Sequence, residues 1–249
     1  MKPNAALKAM ARLAVSLGLV AASAMPAWAG DRAQFGAIGY DEGGHYLAFE
    51  EFGIGDGSGL PYSNIYVVDL QKDSWVLGTP IKVQAVDESE TLLGIRAKSL
   101  GKVQTQLSEL GINAPAELIA QIGDGLVGND GANLRFGLPS YTTPGAIIGD
   151  YGLKLTSFEA TASVPCADWF GTAGLGYKLL LTGDGADRVI HLDDKLPRSR
   201  GCPMAYRLYG VLLPPDSDSV KSAVAIVSVY TNGFEGPDRR FLAIPLAAQ

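Results

Sequence analysis

Short runs of aromatic and β-branched residues, separated by segments rich in Gly, Asn, Asp and Pro, recur along most of the chain. Runs of this length between turn-forming residues are typical of β-strands. The predicted strands are Tyr46–Phe49, Asn64–Leu70, Asn133–Leu138, Leu153–Thr161, Tyr177–Thr182, Arg188–Leu192, Ala205–Leu213, Ala223–Tyr230 and Arg240–Leu246. The pattern therefore predicts a mainly β fold, either a β-rich sandwich or barrel-like or propeller-like sheets.

The first two predicted strands form a hairpin with a long connection. Glu50 to Ser63 lies between them, is rich in Gly and acidic residues, and is longer than a tight turn requires. The last two strands are joined by Thr231 to Arg239, in which Asn232-Gly233 supplies turn-forming residues. Because functional residues concentrate in such connections, both loops are candidates for a binding surface.

The period of the hydrophobic pattern changes between Glu88 and Leu110. Apolar residues there recur at spacings of three, four and seven, which places them on one helical face; they are Leu93, Leu100, Val103, Leu107 and Leu110. Gly111 supplies a natural stop, and a second, shorter helix is predicted over Pro115–Ile122. The sequence therefore predicts a two-helix insertion near residues 88–122, packed on a sheet through its apolar face.

Residues Met1 to Ala29 have the three-part pattern of a secretory signal peptide. Basic residues precede an apolar segment, Leu13–Ala24, and Ala27-Trp28-Ala29 matches the small-x-small pattern that a signal peptidase cleaves. The apolar segment is shorter than the roughly 20 residues of a membrane span, so cleavage between Ala29 and Gly30 is favoured over a retained anchor. We expect a signal peptide over residues 1–29, a single secreted β-rich domain over 30–249, and no membrane span after cleavage.

The net charge of the chain excludes some classes of binding partner. The formal net charge of the whole chain is −6, and loss of the leader, which has three basic residues and no acidic one, makes it −9. Nucleic-acid binding needs clustered Lys and Arg to replace counterions on phosphates, and the sequence has no such cluster. An anionic surface also disfavours adhesion to anionic lipid. We therefore predict no nucleic-acid partner.

Two cysteines, Cys166 and Cys202, lie in the exported part of the chain. An oxidising compartment allows thiols to pair, so a disulfide between these two residues is predicted. Two buried free thiols are the alternative.

Motifs for hydrolysis or zinc binding are not found. Nucleophilic catalysis needs a base beside Ser or Cys, yet the chain has only two imidazoles, His45 and His191, and no G-x-S-x-G motif. The two histidines and the two cysteines also lack the spacing of zinc ligands. His191, which is flanked by Ile190 and Leu192, is predicted to be a structural residue. We predict no cofactor.

Calcium is harder to dismiss, because two segments carry several oxygen ligands. They are Asp184-Gly185-Ala186-Asp187 with Asp193-Asp194, and Asp124 with Asn129, Asp130 and Asn133. Neither segment has the twelve-residue pattern of a calcium-binding hand, and hairpin turns use the same residue types for capping. The prediction is therefore no metal, with calcium at an acidic loop as the weaker alternative.

The two loops near the ends of the β-rich region supply the candidate site. The predicted ligand-binding residues are Glu50, Glu51, Asp56, Tyr62, Asn64, Glu235, Asp238, Arg239 and Arg240. If the first and last hairpins lie side by side, the carboxylates could act as acid and base on a glycoside. Alternatively, Arg239 and Arg240 form ion pairs with Glu50 or Asp56 and tie the two ends of the chain together, which is the favoured interpretation.

Two resemblances to known families follow from short motifs. Gly44-His45-Tyr46-Leu47-Ala48-Phe49 and Ser63-Asn64-Ile65-Tyr66-Val67-Val68-Asp69-Leu70 together resemble one blade of the propeller repeats of periplasmic TolB-like proteins. A full propeller needs about 40 residues per blade and at least four blades, whereas one clear copy occurs here. The resemblance therefore implies a hairpin like that of a propeller blade and does not extend to a complete propeller.

Over most of its length the chain resembles an uncharacterised family of predicted secreted bacterial proteins. The resemblance is carried by the leader and by Phe49-Glu50-Glu51-Phe52-Gly53, Asp56-Gly57-Ser58-Gly59, Asp73-Ser74-Trp75-Val76 and Gly233-Phe234-Glu235-Gly236-Pro237-Asp238-Arg239-Arg240-Phe241. It implies export from a Gram-negative cell, to the periplasm or beyond, and it implies no activity.

Two functional hypotheses remain. The first is a periplasmic, non-catalytic binding or envelope-associated module whose loops recognise a protein or glycan partner. The second is a hydrolase that acts on envelope carbohydrate through Glu50, Glu51 or Glu235. They differ in geometry, because a glycosidase holds two carboxyl groups in an open cleft, roughly 5 Å apart or somewhat farther.

Overall fold

The structure is a computed structural model that describes residues 30–122, 131–183, 185–233 and 236–247. Strands dominate it, as predicted, and they form antiparallel sheets together with one short parallel pair. None of these described sheets closes into a barrel. The mainly β prediction is therefore confirmed, with several antiparallel sheets in place of a closed barrel.

The first sheet, sheet I, contains the hairpin predicted near residue 46. Its strands are β1 (Gln34–Asp41), β2 (Tyr46–Ile54), β3 (Pro61–Asp69), β4 (Ser74–Trp75), β5 (Ile81–Gln84) and β6 (Ile112–Ala114). They are ordered β4-β3-β2-β1-β6, and β5 also pairs with β3. Helix α1 (Leu92–Glu109) crosses between β5 and β6.

Two further four-stranded sheets follow. Sheet II has the order β16-β15-β14-β7, from β7 (Glu117–Gln121), β14 (Pro203–Leu213), β15 (Val224–Asn232) and β16 (Pro237–Pro245). Sheet III has the order β12-β11-β9-β8, from β8 (Asn133–Pro139), β9 (Ile147–Glu159), β11 (Leu175–Thr182) and β12 (Arg188–Leu192). The smaller elements are β10 (Thr161–Ala162), helix α2 (Cys166–Phe170), β13 (Lys195–Leu196) and 3₁₀ turns at Arg198–Arg200 and Val220–Ser222.

Sheet II is the middle layer, and the sequence of β15 shows why. Every residue from Val224 to Val229 is buried. Because side chains alternate along a strand, Val224 and Ile226 pack with sheet I while Ala225 and Val227 pack with sheet III. A continuous apolar run of this kind is the pattern expected of a strand that is covered on both faces.

Helix α1 covers the outer face of sheet I. Val103 and Leu107 of the helix pack against Ala48, Ile65 and Val67 of the sheet. The Thr91 hydroxyl accepts a hydrogen bond from the Gly94 amide and so caps the start of the helix. The layers therefore run in the order α1, sheet I, sheet II, sheet III.

The predicted first helix is confirmed, but its predicted apolar face is partly wrong. Leu93 and Leu100 are 74% and 43% exposed. The buried face instead contains Ile95, Ser99 and Val103 with Leu107. At 3.6 residues per turn, Leu93 and Leu100 lie roughly 100–120° around the helix from Ser99, so they point away from sheet I.

The second predicted helix, over Pro115–Ile122, is wrong. Residues Glu117–Gln121 form β7, which pairs antiparallel with the edge of β14. Leu118 lies opposite Leu212, and Ala120 lies opposite Val211. Helix-forming residues adopt a strand here because long-range pairing outweighs weak local propensity. The insertion thus contains one helix and a strand.

The predicted long loop between Glu50 and Ser63 is also mostly strand. β2 continues to Ile54 and β3 begins at Pro61, so the connection is confined to residues 55–60. Glu50 pairs with Ile65 and Glu51 with Asn64 in the ladder. The acidic residues and glycines of this segment are typical of a loop. The segment can form strand because the buried carboxylates of Glu50 and Glu51 both have hydrogen-bond partners.

Several outcomes concern single features of the sequence. The Cys166–Cys202 disulfide is present, with the two Cα atoms 5.5 Å apart. The sequence pattern missed β1, which pairs with β2 along the inner part of sheet I. The propeller-like hairpin is β2–β3, and its resemblance to a propeller blade stays a resemblance. Within the described residues, no helix combines the length and apolar character needed to cross a bilayer.

Candidate functional site: a groove along the β16 edge

The outer edge of β16 lies at the bottom of a groove. β16 is the terminal strand of sheet II, and among the described residues the backbone of its outer side pairs with another segment at an isolated bridge between Arg32 and Arg239. Three adjoining cavities of about 400, 730 and 240 Å³ follow this edge. We call the three together the β16 groove.

Shared lining residues show that the three cavities are continuous. Asn64, Lys82 and Arg240 line both the first and the second cavity. Trp75 and Arg200, with Phe241, line both the second and the third. A strand of nine residues spans about 30 Å, so the groove is elongated rather than round.

The first wall of the groove is the inner face of sheet I. Asn64 lies opposite Lys82, and Val68 lies opposite Trp75, so these side chains share the face that points toward sheet II. The Tyr66 ring stacks on Phe49 with centroids 4.9 Å apart. Trp75 contacts Tyr66 at 5.4 Å and remains 45% exposed. This wall is therefore an aromatic surface with a cation at one end.

The second wall consists of segments 164–170 and 197–202. The Cys166–Cys202 disulfide joins them, and closing 36 residues of chain stabilises the fold by roughly 4 kcal/mol in the chain-entropy model. Trp169 and Phe170, at the end of α2, are 61% and 46% exposed. The disulfide thus holds a second pair of aromatic rings opposite the first wall.

Glu51 lies at the floor of the groove and is fully buried. One carboxylate oxygen accepts the backbone N–H of Phe241, and the other accepts the Tyr66 hydroxyl at 2.9 Å. Burial raises the pKa of Glu51 to about 7, although the Phe241 hydrogen bond and the charge of Arg240 oppose the shift. The side chain therefore occupies a hydrogen-bonding position on the β16 edge that a neighbouring strand would otherwise fill.

Glu50 lies on the opposite face of the same strand. Its carboxylate accepts hydrogen bonds from Arg96, on α1, at 2.8–3.1 Å and from the Ser63 hydroxyl at 2.8 Å. Arg96 also stacks 3.7 Å from the centre of the Phe52 ring. Consecutive residues of a strand point to opposite faces, so Glu50 and Glu51 do not share a cleft.

The two arginines at the start of β16 fasten the beginning of the described chain to its end. Arg240 pairs with Asp31 at 2.7 Å, and the same carboxylate accepts the Tyr62 hydroxyl at 2.7 Å. Arg239 is buried and donates from Nε to the carbonyl of Ala33. The tying role predicted for these arginines is therefore seen, but Arg240 contacts Asp31 instead of the predicted Glu50 or Asp56.

The structure brings most of the predicted site residues to the groove, though not all. Those that line it are Glu51, Asp56, Tyr62, Asn64, Asp238 and Arg240. Glu50 lies under α1, and Arg239 contacts Ala33 and the Phe241 ring. Glu235 falls outside the described residues.

The groove residues that sequence reasoning missed include the aromatic and cationic side chains Trp75, Lys82, Trp169, Phe170 and Arg198. They come from three distant segments with no shared motif, so only the fold brings them together. The one local signal was the Trp169-Phe170 pair close to Cys166. Exposed aromatic rings beside a disulfide are the kind of feature that marks a surface for binding.

Lys82 and Arg198 give the central part of the groove a positive surface. The two other cations there are already neutralised, because Arg200 pairs with Asp193 at 2.6 Å and Arg240 pairs with Asp31. The exposed side chains of Lys82 and Arg198 have no hydrogen bond or ion pair to any described residue. On a protein with net negative charge, this places two cations without an ion pair to any described residue beside the aromatic walls, although the charge of Lys82 also acts on Glu51.

His191 has the structural role predicted for it. Its Nε2 lies 3.0 Å from the buried Asp193 carboxylate, and its ring stacks on Tyr177. Burial raises the pKa of Asp193, but hydrogen bonds from His191 and the Tyr177 amide, with the charge of Arg200, hold it below its usual range. Asp193 therefore has protein partners for its charge and is not free to ligate calcium.

Metal binding finds little support among the residues that the structure describes. Across these ranges, His, Cys, Asp and Glu form no group of three or more that could hold a metal ion. Asp184, Asp124, Asn129 and Asp130, which carried the calcium alternative, fall outside the described residues. The candidate site is therefore the β16 groove, whose chemistry is aromatic and cationic.

Comparison with known proteins identifies one family. The family model described as "Predicted secreted protein (DUF2259)" matches residues 48–247, which run from the third residue of β2 to beyond β16 and include the whole groove apart from Asp31. The resemblance to a family of predicted secreted proteins is therefore confirmed. Searches of curated proteins and of solved structures found no match.

Proposed function

The chain belongs to this family of predicted secreted proteins, and from that premise we propose that it is a non-catalytic binding module of the bacterial periplasm or cell exterior. The proposal is that the β16 groove binds an elongated, anionic ligand from the cell envelope. Export of the chain would follow cleavage between Ala29 and Gly30, as its leader predicts.

One observation carries the proposal: exposed aromatic rings face each other across a groove with unpaired cations. Trp75 lies on one wall, and Trp169 and Phe170 lie on the other. Aromatic rings are favoured in binding sites because they bury large apolar area and tolerate a wet edge. Lys82 and Arg198 add the charge that selects an anion.

Elongation of the ligand is supported by the shape of the site. The three cavities lie in line along β16, and the lining changes from mostly polar at the Asp238 end to a mixture of polar and apolar side chains near Ile244. A compact ligand would fill the central cavity alone. A ligand that contacts both ends has to extend along the strand.

The alternative function, hydrolysis of envelope carbohydrate, gains no support from this geometry. Glu50 is bound by Arg96 on the far face of β2, and both oxygens of Glu51 accept hydrogen bonds from the protein. A glycosidase needs two carboxyl groups on either side of one bond. Of the predicted acids, Glu51 lines the central cavity without a second carboxylate among its described lining residues.

The chain contains its own reporter for binding. It has three tryptophans, and after cleavage of the leader the two that remain, Trp75 and Trp169, both line the groove. Titration of the leaderless protein with acidic peptides and with uronic acid oligosaccharides should therefore shift tryptophan emission. Neutral versions of the same ligands are the control.

A matched pair of double variants tests the charge requirement. Lys82→Ala with Arg198→Ala should weaken binding by about tenfold, because each exposed charge contributes up to about 1 kcal/mol. Lys102→Ala with Lys154→Ala removes the same charge from exposed positions outside the groove and should leave affinity unchanged. If no anionic ligand shifts the emission, or both pairs weaken binding equally, the proposal is wrong.

A further inference from the structure

We infer that the ligand of the β16 groove is an extended polypeptide segment with acidic side chains, which adds to sheet II as a new strand beside β16. The inference rests on the proposed function and makes it specific, because it names the class of ligand and the atoms that bind it. It is argued from the backbone of β16, from the alternating walls and from charge.

The backbone groups of β16 alternate between β15 and the groove. The N–H groups of Arg239 and Phe241 donate outward, to the carbonyl of Asp31 and to Glu51. By this alternation Ala243 also directs its N–H and C=O away from β15, as does the carbonyl of Phe241. Within the part of the chain that the structure describes, these three groups have no protein partner.

An exposed strand edge is a template for pairing, and proteins normally protect it. Here protection is partial. The bridge between Arg32 and Arg239 covers one end, Glu51 occupies the Phe241 amide, and Pro245 has no N–H to donate. The unprotected groups, which are the carbonyl of Phe241 and the amide and carbonyl of Ala243, lie between two walls, which admit a single strand more readily than another sheet.

The two walls of the groove would each contact alternate side chains of an added strand. Because side chains alternate, one set would point to Tyr66 and Trp75 on sheet I, and the other to Trp169 and Arg198 on the disulfide-linked wall. Backbone pairing supplies affinity in such complexes, and alternate pockets supply specificity. Because Lys82 and Arg198 lie on opposite walls, a ligand with an acidic residue on each face of the strand, among apolar or aromatic residues, fits this arrangement.

Charge complementarity favours an acidic ligand over a basic one. Lys82 and Arg198 are unpaired at the centre of the groove, whereas the acids of the lining are occupied or lie near its ends. Glu51 bonds to Phe241 and Tyr66, and Asp31 bonds to Arg240. An extended polypeptide presents N–H and C=O groups at the strand repeat, which matches the spacing of the outward amide and carbonyl of Ala243.

The test uses blocked octapeptides that carry glutamate on each face of the extended strand among apolar residues, titrated into the leaderless protein. The expected result is a shift in tryptophan emission that a matched lysine-containing pool does not produce. N-methylation of one alternate set of peptide amides should weaken binding at least tenfold, because that set faces β16. N-methylation of the other set should have little effect. Hydrogen exchange at the Ala243 amide should slow when the peptide is bound.

Each contrary result has a separate meaning. If uronic acid oligosaccharides bind and the acidic peptides do not, the strand-addition inference is wrong while the proposed function stands. If both N-methylated sets bind as tightly as the parent peptide, or Ala243 exchange is unchanged, the ligand does not pair with β16 and the inference is again wrong. If neither class of ligand binds, the proposed function fails as well.

Discussion

The two faces of sheet I differ in whether their buried carboxylates, Glu50 and Glu51, are paired with a cation. Under α1, Glu50 is neutralised by Arg96 and bonded to Ser63, and the face is sealed by apolar packing. On the groove face, Glu51 is buried without an ion pair, while Lys82 forms no hydrogen bond or ion pair with any described residue and acts on Glu51 only through its charge. The comparison indicates that the α1 face of sheet I stabilises the fold, while the groove face leaves a positive charge available to a ligand.

The largest loss of stability should come from removing the ion pair on the α1 face of sheet I. Arg96→Ala leaves the Glu50 carboxylate buried without its cation and removes the stacking on Phe52, so we expect a loss of about 3 to 4 kcal/mol in unfolding free energy. Urea unfolding measures it. Adding Glu50→Gln should restore part of the loss. A single variant as stable as the parent would show that the pair contributes little.

The next effect is a pH dependence of the groove face. Burial raises the pKa of Glu51 to about 7, so the folded state binds this proton more tightly than the unfolded state. The resulting stabilisation is fully present below about pH 4.5 and is lost as the pH rises through 7. It amounts to at most about 3 kcal/mol.

Glu51→Gln is the matching variant, because the amide can still accept from Phe241 but does not titrate. Its unfolding free energy should vary less between pH 4.5 and 7 than that of the parent, and at pH 8 it should be at least as stable. Thermal or urea unfolding across this range measures both. Equal pH dependence in the two proteins would show that Glu51 titrates normally.

A smaller effect is expected where the start of the described chain meets β16. Arg240→Ala removes the ion pair with Asp31 but leaves the Tyr62 hydrogen bond to the same carboxylate. We expect a loss of about 1 to 2 kcal/mol. Arg240→Lys, which keeps the charge, should lose less. If both variants lose the same amount, the second hydrogen bond of the guanidinium, to the carbonyl of Arg239, rather than the charge is what matters.

The smallest stability effect should come from the unpaired cation of the groove face. Lys82→Glu changes no hydrogen bond or ion pair of the described structure, so unfolding free energy should change by no more than about 0.5 kcal/mol. Binding of acidic peptides should nevertheless weaken, since the charge at the groove is reversed. If Lys82→Glu lost as much stability as Arg96→Ala, the two faces of sheet I would not differ in the way described.

The sequence predicted those features that depend on local pattern. Strand composition placed β15 and β16, and cysteine count and compartment placed the disulfide. The helix period located α1 but misassigned Leu93 and Leu100, because the buried face depends on the sheet that the helix meets. Pro115–Ile122 was misassigned because its partner, β14, lies about 90 residues away.

The candidate site was harder to predict than the fold. Glu50 and Glu51 looked like one acidic loop, whereas strand alternation sends them to opposite faces. Lys82, Trp75 and Trp169 come from separate segments that only the layering brings together. A site built from one residue per element leaves no spacing motif in the sequence.

The most direct test of the account compares the two tryptophans in one titration. Trp75 and Trp169 lie on opposite walls of the β16 groove, so a bound ligand should contact both. With Trp75→Phe and Trp169→Phe single variants of the leaderless protein, the remaining tryptophan should shift its emission in each case, with similar midpoints for the acidic peptide pool. A shift in one variant alone, or in neither, would contradict the claim that these walls form a single binding groove.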